Sequence, residues 1–244
     1  MRFTILGMSA LALAAVSAPA FAQDEPASPI TVSGGATVVT DYRFRGISQS
    51  DKRFALQGSI TVAHESGFYL STWGSSIDDY VANGGDQEID FIGGYSKTFG
   101  AATVDVGVLY YYYPGSGGAN TDFIEPYASV KGTFGPITAK VGAAYAPKAN
   151  ALSIGGGKED NLYVYTDLSG AAGPVSLIGH LGYSNGPSYL TIGDNYLDWS
   201  IGASYSWNSL TFGVTYVDTN KAAFSPSGRN IAKAGVVGSI GVSF

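Results

Sequence analysis

Apolar and polar residues alternate with a period of two along much of the chain after residue 30. The clearest segment is residues 196–207, where Asp, Ser and Gly occupy every second position from 198 to 206. The positions between them are Leu197, Trp199, Ile201, Ala203, Tyr205 and Trp207. A period of two places successive side chains on opposite faces of a β-strand. The pattern therefore predicts strands with one apolar and one polar face.

Twelve such segments follow one another, bounded by Gly, Pro, Asn and Asp. Each has about 9 to 13 residues, the length that a tilted membrane strand needs. Alternation is poor in the third and eighth segments; in the eighth, Tyr163 and Tyr165 fall opposite Leu162 and Val164. A strand with two apolar faces can pack against something inside a barrel. The predicted strands are 31–42, 54–65, 68–76, 87–99, 102–112, 122–134, 137–147, 160–169, 175–184, 196–207, 210–218 and 233–244.

The connections between these segments alternate in length. Alternation of side chains fits both a soluble sandwich and a membrane barrel, but a sandwich has no reason to sort its loops by length. An even strand count with short periplasmic turns and long outer loops is typical of bacterial barrels. The sequence therefore predicts an all-β fold, a transmembrane antiparallel up-and-down β-barrel of about twelve strands. Short connections lie at 65–67, 99–101, 134–136, 170–174 and 208–209, and long ones at 43–53, 77–86, 113–121, 148–159, 185–195 and 219–232.

The N-terminus has the pattern of a targeting segment. Arg2 precedes an apolar stretch from Phe3 to Val16, and residues 20–22 are Ala-Phe-Ala, a small-x-small cleavage pattern. The apolar stretch is shorter than the roughly 20 residues of a membrane helix. We expect residues 1–22 to be a cleaved secretory signal peptide and residues 23–244 to form one porin-like outer-membrane barrel domain.

Composition and charge narrow the class further. The chain has 34 Gly and 17 Tyr among 244 residues, and only 13% of the residues are charged, about half the usual share. It contains no cysteine, so no disulfide holds the fold. A formal net charge of -6 argues against nucleic acid as a partner.

The end of the chain resembles an assembly signal. Val236, Gly238, Ile240, Val242 and Phe244 share one face of the last predicted strand. A terminal Phe after alternating apolar positions resembles the signal by which the barrel assembly machinery recognises outer-membrane barrels. Because an unpaired backbone group in hydrocarbon costs several kcal/mol, the first strand is expected to pair with the last.

When the apolar face of each strand is assigned to lipid, polar residues of both charge signs remain for the lumen. Twelve strands lie between a barrel filled by its side chains and one with a wide channel, which predicts a narrow pore or a lumen plugged by paired charges. The negative charges of Glu88 and Asp90 favour cations. Lys131 and Lys140, which face each other across the turn at 134–136, offset part of this negative charge. The predicted lumen residues are Gln57, Glu65, Glu88, Asp90, Asp105, Glu125, Lys131, Lys140, His180 and Asp198.

These features predict a channel for passive diffusion of small hydrophilic solutes or ions, with no cofactor. Arg43 and Arg45 follow the first predicted strand, where we expect them at the outer surface, reaching acidic groups or lipopolysaccharide phosphates. Outer-membrane lipid would cover the apolar belt. The alternative is a non-porating barrel whose outer loops bind a ligand, because Arg among aromatic residues is a common recognition element. The oligomeric state stays open.

Catalytic chemistry has little support in the sequence. No GxSxG, HExxH or P-loop spacing occurs, and the histidines are His64 and His180. We expect His64 to cap a turn and His180 to join a hydrogen-bond network in the lumen rather than act as a general base. A barrel hydrolase is therefore a lesser alternative, and no enzyme activity is predicted. The acidic loop around Asp78 and Asp79 is interpreted as solvated rather than as a calcium site.

Several blocks resemble a known family. They read DYRFRGISQS at residues 41–50, HESGFY at 64–69, WGS at 73–75 and EIDFIGGY at 88–95. These blocks resemble the TorF family of proteobacterial porin-like proteins, most specifically in the first third of the chain. The resemblance implies an outer-membrane β-barrel of similar size in a Gram-negative bacterium. It implies no catalytic or binding residues and no substrate.

Overall fold

The computed structural model describes residues 28–244. Within them, twelve long antiparallel strands close into a barrel and two short strands form a separate hairpin. The prediction of a twelve-strand barrel is confirmed, and the sequence-based boundaries differ from the observed ones by a few residues. The strands are β1 (Ile30–Val39), β2 (Arg43–Phe44), β3 (Ile47–Ser48), β4 (Ala55–His64), β5 (Phe68–Ser76), β6 (Gln87–Phe99), β7 (Ala102–Tyr112), β8 (Phe123–Phe134), β9 (Ile137–Ala149), β10 (Glu159–Ala172), β11 (Val175–Asn185), β12 (Tyr196–Trp207), β13 (Leu210–Thr219) and β14 (Gly235–Ser243).

The barrel closes between its first and last strands. Val38 of β1 pairs with Ile240 of β14 in an antiparallel register. Beyond β14 the Phe244 N–H donates to the Gly34 carbonyl at 3.0 Å, and the Gly34 N–H donates to the Phe244 carbonyl at 3.1 Å. Closure removes the free sheet edges, as the cost of unpaired backbone groups in hydrocarbon requires.

The outer face of the barrel is apolar and the inner face is polar. In β12, Leu197, Ile201 and Trp207 are exposed on the outside, whereas Asp198 is 2% exposed on the inside. The Phe244 side chain is also exposed on the outside. Alternation of this kind reverses the soluble arrangement, in which the apolar face turns inward, and it suits a barrel surrounded by lipid.

The connections are sorted to the two ends of the barrel. Turns such as the one after His64 lie at one end, here called the turn end, together with both described termini. The opposite end, here called the loop end, carries six long connections within the described residues. They are L1 (residues 40–54), L2 (77–86), L3 (113–122), L4 (150–158), L5 (186–195) and L6 (220–234), with single 3-10 turns at Asn150–Leu152 and Tyr189–Thr191.

The expected signal peptide at residues 1–22 lies outside the described residues. Among residues 28–244, no helix has the length and apolar character to cross a membrane.

Candidate functional site: the barrel lumen

The lumen contains nearly all of the polar residues that the sequence assigned to it. Their side chains lie on the inward face of their strands, and all are buried or half-buried. Glu65 is the exception: it is an exposed residue of the turn between β4 and β5 and is not in the lumen. The inward residues are Gln57, Glu88, Asp90, Asp105, Glu125, Lys131, Lys140, His180 and Asp198.

L1 folds into the loop end of the lumen instead of extending away from it. The expectation that Arg43 and Arg45 lie at the outer surface is therefore wrong: each is 5% exposed. Neighbouring Ile47 and Ser48 are also buried. A buried guanidinium needs carboxylate or carbonyl partners; the barrel wall supplies them to Arg45, and L1 and L6 supply them to Arg43.

Arg45 crosses the lumen at the tip of the β2–β3 hairpin. Its Nη2 donates to Glu125 Oε1 of β8 at 2.6 Å, and its Nη1 donates to Asn161 Oδ1 of β10 at 2.8 Å. Its guanidinium stands 4.1 Å from the centre of the Tyr163 ring. Burial acts to lower the pKa of Arg45, but the Glu125 carboxylate outweighs it and raises that pKa above its ordinary value. L1 is therefore fastened to two separate strands of the wall.

The hairpin turn at Arg45 and Gly46 requires left-handed backbone at both positions. Arg45 has φ +46° and Gly46 has φ +80°, the combination of a type I′ hairpin. A Cβ at residue 46 would lie 2.3 Å from Thr219 Cγ2 and 3.0 Å from Asp198 Cβ. Only glycine suits this place, because the backbone of L1 lies directly against β12 and β13.

Arg43 holds the base of the hairpin. Its Nε donates to Asp41 Oδ2 at 2.6 Å, and its Nη1 donates to the carbonyls of Gly46, Ile231 and Lys233 at 2.8 to 3.2 Å. Two of these carbonyls belong to L6. Arg43 therefore stabilises the fold of L1 and also links L1 to L6.

L1 and L6 are also joined through Asp51. Its carboxylate accepts hydrogen bonds from the Ser225 hydroxyl at 2.7 Å and the Ser227 hydroxyl at 2.9 Å, and Arg229 Nη1 donates to its carbonyl at 2.7 Å. Burial acts to raise the pKa of Asp51, but the two serine hydroxyls and Arg229 lower that pKa below its ordinary value.

The acidic residues at the loop end lie behind L1. Glu88 accepts a hydrogen bond from the Tyr42 hydroxyl of L1 at 3.1 Å, and Glu125 accepts one from Tyr111 at 3.1 Å. Asp90 is 6% exposed, and its Oδ1 has no hydrogen-bond partner among the described residues. None of these three residues lines the cavity described next.

An open space remains in the lumen between L1 and the turn end. This cavity of about 370 Å³, here called the chamber, reaches from Arg43, Arg45 and Gly46 of L1 to Pro136 in the β8–β9 turn. Much of its wall is Ser, Thr and Gly. Its charged lining consists of Arg43, Arg45, Lys131, Lys140, Asp167, His180 and Asp198.

His180 lies at the centre of a hydrogen-bond network in the chamber wall, as the sequence predicted. Its Nδ1 is 2.6 Å from Asp167 Oδ1, and its Nε2 is 3.1 Å from Asp198 Oδ1 and 2.8 Å from the Tyr163 hydroxyl. Both ring nitrogens are engaged by the wall, which leaves neither to serve a solute as general base. His64 caps the β4–β5 turn as expected, with its Nδ1 2.7 Å from Ser66 Oγ.

Sequence reasoning missed the aromatic side chains that fill the lumen. Tyr163 and Tyr165 point inward, and Tyr163 packs against Arg45 and bonds to Asp198 at 3.1 Å. On another part of the wall, the Tyr69 hydroxyl bonds to Asp105 at 2.8 Å and to the Tyr127 hydroxyl. The two apolar faces of the eighth predicted strand were the available signal, because they indicated that something occupies the lumen beside it.

Comparison with solved structures gives the same architecture. NanC porin is 11% identical with a TM-score of 0.59, covering 88% of this chain and 99% of its own. KdgM porin is 10% identical with a TM-score of 0.56, covering 87% and 98%. A second structure of KdgM porin, in complex with disordered oligogalacturonate, is 9% identical with a TM-score of 0.56, covering 88% and 98%. These similarities establish the barrel fold.

Sequence comparison places the chain in a family without a known activity. No curated protein matches it. The family described as "Bacterial protein of unknown function (Gcw_chp)" matches residues 23–244. The match spans the whole barrel, and so the chain belongs to the Gcw_chp family of bacterial proteins.

Proposed function

We propose that the protein is a porin-like channel of the Gram-negative outer membrane that passes small hydrophilic solutes or ions by passive diffusion. The observation that carries the proposal is a polar, charged chamber inside a closed barrel whose outer face is apolar. Apolar residues on the outside suit lipid, and charged groups with hydroxyls on the inside suit hydrated solutes. The fold shared with NanC and KdgM porins supports the same interpretation.

An outer-membrane location is part of the same proposal. The expected signal peptide at residues 1–22 would export the chain, and the exposed ring of Phe244 is available to the barrel assembly machinery. In this orientation the loop end faces outward, towards lipopolysaccharide, and the turn end faces the periplasm. The resemblance of the opening blocks to the TorF family agrees with this proposal.

L1 is the constriction of the proposed channel. It fills the loop end of the lumen, and its Arg43 and Arg45 form the boundary of the chamber. Solutes must pass this loop, which predicts a conductance smaller than that of an empty twelve-strand lumen.

Planar-bilayer recording of the purified protein tests the proposal. A channel gives discrete conductance steps in potassium chloride. A membrane that stays silent, with protein whose barrel assembly is verified by circular dichroism, would contradict it and favour a barrel that only binds a ligand.

A further inference from the structure

Lys140 is a buried cation in the chamber wall that forms no salt bridge among the described residues. Its side chain points into the lumen from β9, it is 9% exposed, and it makes no ion pair among residues 28–244. Its Nζ stands 5.2 Å from the centre of the Tyr165 ring. Burying a charge is costly unless the charge is paired. The aromatic face holds the ammonium group in position but supplies no counter-charge.

Three carboxylates of the surrounding wall accept hydrogen bonds from other groups. Asp167 is the cross-strand partner of Lys140 in the β9–β10 register, but its Oδ1 lies 2.6 Å from His180 Nδ1. Asp198 bonds to the other side of the same imidazole and to Tyr163. Asp105 accepts a hydrogen bond from Tyr69 at 2.8 Å and interacts electrostatically with Lys140 and Lys131. The hydrogen bonds of these three carboxylates therefore go to His180 and the tyrosines, and none of the three forms a salt bridge with Lys140.

A second ammonium group lies beside the first. Lys131 of β8 is paired with Lys140 of β9 in the antiparallel register, and both line the chamber. Like charges at directly opposed positions destabilise a sheet. An anion placed between the two ammonium groups would offset their repulsion. It would also give Lys140 a salt-bridge partner.

The rest of the chamber suits a small organic molecule. Its volume of about 370 Å³ lies within the usual range of ligand pockets. Serine and threonine hydroxyls face the same space and can donate or accept hydrogen bonds. They include Ser169, Ser200, Ser204, Thr211 and Thr215.

We infer that the chamber contains a binding subsite for a small organic anion, a carboxylate or phosphate, held by the ammonium group of Lys140 with Lys131 alongside. This inference rests on the proposed function for the route by which the anion arrives. It replaces the expectation of a cation preference, because Glu88, Asp90 and Glu125 lie behind L1 and do not line the chamber.

Binding at equilibrium tests the subsite without requiring conductance. Saturation-transfer NMR on the protein in detergent micelles compares succinate with succinamide, which has the same skeleton and no charge. We expect transfer to succinate, little transfer to succinamide, and displacement of succinate by inorganic phosphate. Equal transfer to the two probes would contradict the inference.

Substitutions at two lysines locate the binding. Lys140→Gln is expected to weaken succinate binding about tenfold, the effect of losing one charge-assisted contact. Lys97→Gln is the matched control, since Lys97 is an exposed residue near the same end of the barrel and does not line the chamber. Lys140→Arg, which keeps the charge, is expected to retain most of the binding. Unchanged affinity in Lys140→Gln, with its barrel intact by circular dichroism, would overturn the assignment.

Conductance provides a separate outcome. If the wild-type protein conducts, its reversal potential in a potassium chloride gradient is expected to shift towards cations in Lys140→Gln and to stay unchanged in Lys97→Gln. A membrane without current would reject the proposed channel and leave the NMR result to decide the anion subsite.

Discussion

The two halves of the lumen solve the problem of buried charge in different ways. At the loop end, L1 enters the barrel and its Arg45 pairs with Glu125, so this buried cation is matched within the protein. Towards the turn end, Lys140 faces the open chamber and forms no salt bridge among the described residues. The comparison teaches that the same barrel wall serves as a socket for a loop in one half and as a binding surface in the other.

Removing L1 should erase the difference between the halves and has the largest expected effect. Replacing residues 41–50 by a flexible linker of equal length opens the loop end of the lumen, so we expect conductance to rise several-fold in single-channel recordings. Replacing residues 153–157 of L4, which are largely exposed, is the matched control and should change conductance little. Equal conductance in the L1 variant and the wild type would show that L1 is not the constriction.

Breaking the salt bridge between Arg45 of L1 and Glu125 of the barrel wall should destabilise the loop end. Arg45→Ala leaves the Glu125 carboxylate buried without its partner, a change that costs about 3 to 5 kcal/mol. The free energy of unfolding in urea, measured in lipid vesicles, checks this value. Glu125→Gln combined with Arg45→Ala should recover much of the loss, because no unpaired charge remains. Additive losses in the double variant would mean that the two residues act independently.

The chamber wall offers a smaller and more local test. A Cβ at Gly182 would lie 2.0 Å from the Tyr163 hydroxyl and 2.7 Å from Asp198 Oδ2, whereas one at Gly179 meets nothing within 4 Å. Gly182→Ala should therefore cost about 1 to 3 kcal/mol of stability by overpacking the His180 network, and Gly179→Ala on the same strand should cost far less. Equal losses in thermal or urea unfolding would contradict the close packing described around Asp198.

The hydrogen bonds by which Asp51 joins L1 to L6 should weaken in acid, and this is the smallest expected effect. Because the pKa of Asp51 is lowered in the folded protein, its stabilisation is present above the ordinary pKa of an aspartate and is lost as the pH falls through the lowered value. Hydrogen exchange of L6 amides should accelerate in that acidic range. Asp51→Asn should remove this pH dependence, at a cost of about 1 kcal/mol, the net contribution of a typical hydrogen bond. If the exchange of L6 amides has the same pH profile in the wild type and in Asp51→Asn, Asp51 does not hold L1 and L6 together.

The barrel is predictable from sequence because its determinants are local. Alternation along residues 196–207 sets which face of β12 points outward, and the glycine-rich turns set where strands reverse. The pairing of β1 with β14 is distant in sequence but follows from closure, which every membrane barrel requires. The alternation of side-chain directions along a strand is therefore sufficient to assign Lys140 and His180 to the lumen.

The path of L1 is not predictable in the same way. Arg45 joins Glu125 and Asn161, which are distant in sequence, and no periodic pattern records such contacts. A basic loop after a membrane strand is usually interpreted as surface, and that interpretation is wrong here. The consecutive left-handed residues Arg45 and Gly46 make a tight hairpin that fits inside the barrel, and this geometry depends on the wall that receives it.

The most direct test of the central claim, that ions pass through the chamber inside the barrel, uses cysteine scanning in a chain that naturally has no cysteine. Ser200 lines the chamber and the adjacent Ile201 points outward from the same strand. A charged methanethiosulfonate reagent added during single-channel recording should lower the conductance of Ser200→Cys stepwise and leave that of Ile201→Cys unchanged. Conductance that responds equally in both variants, or in neither, would contradict the account.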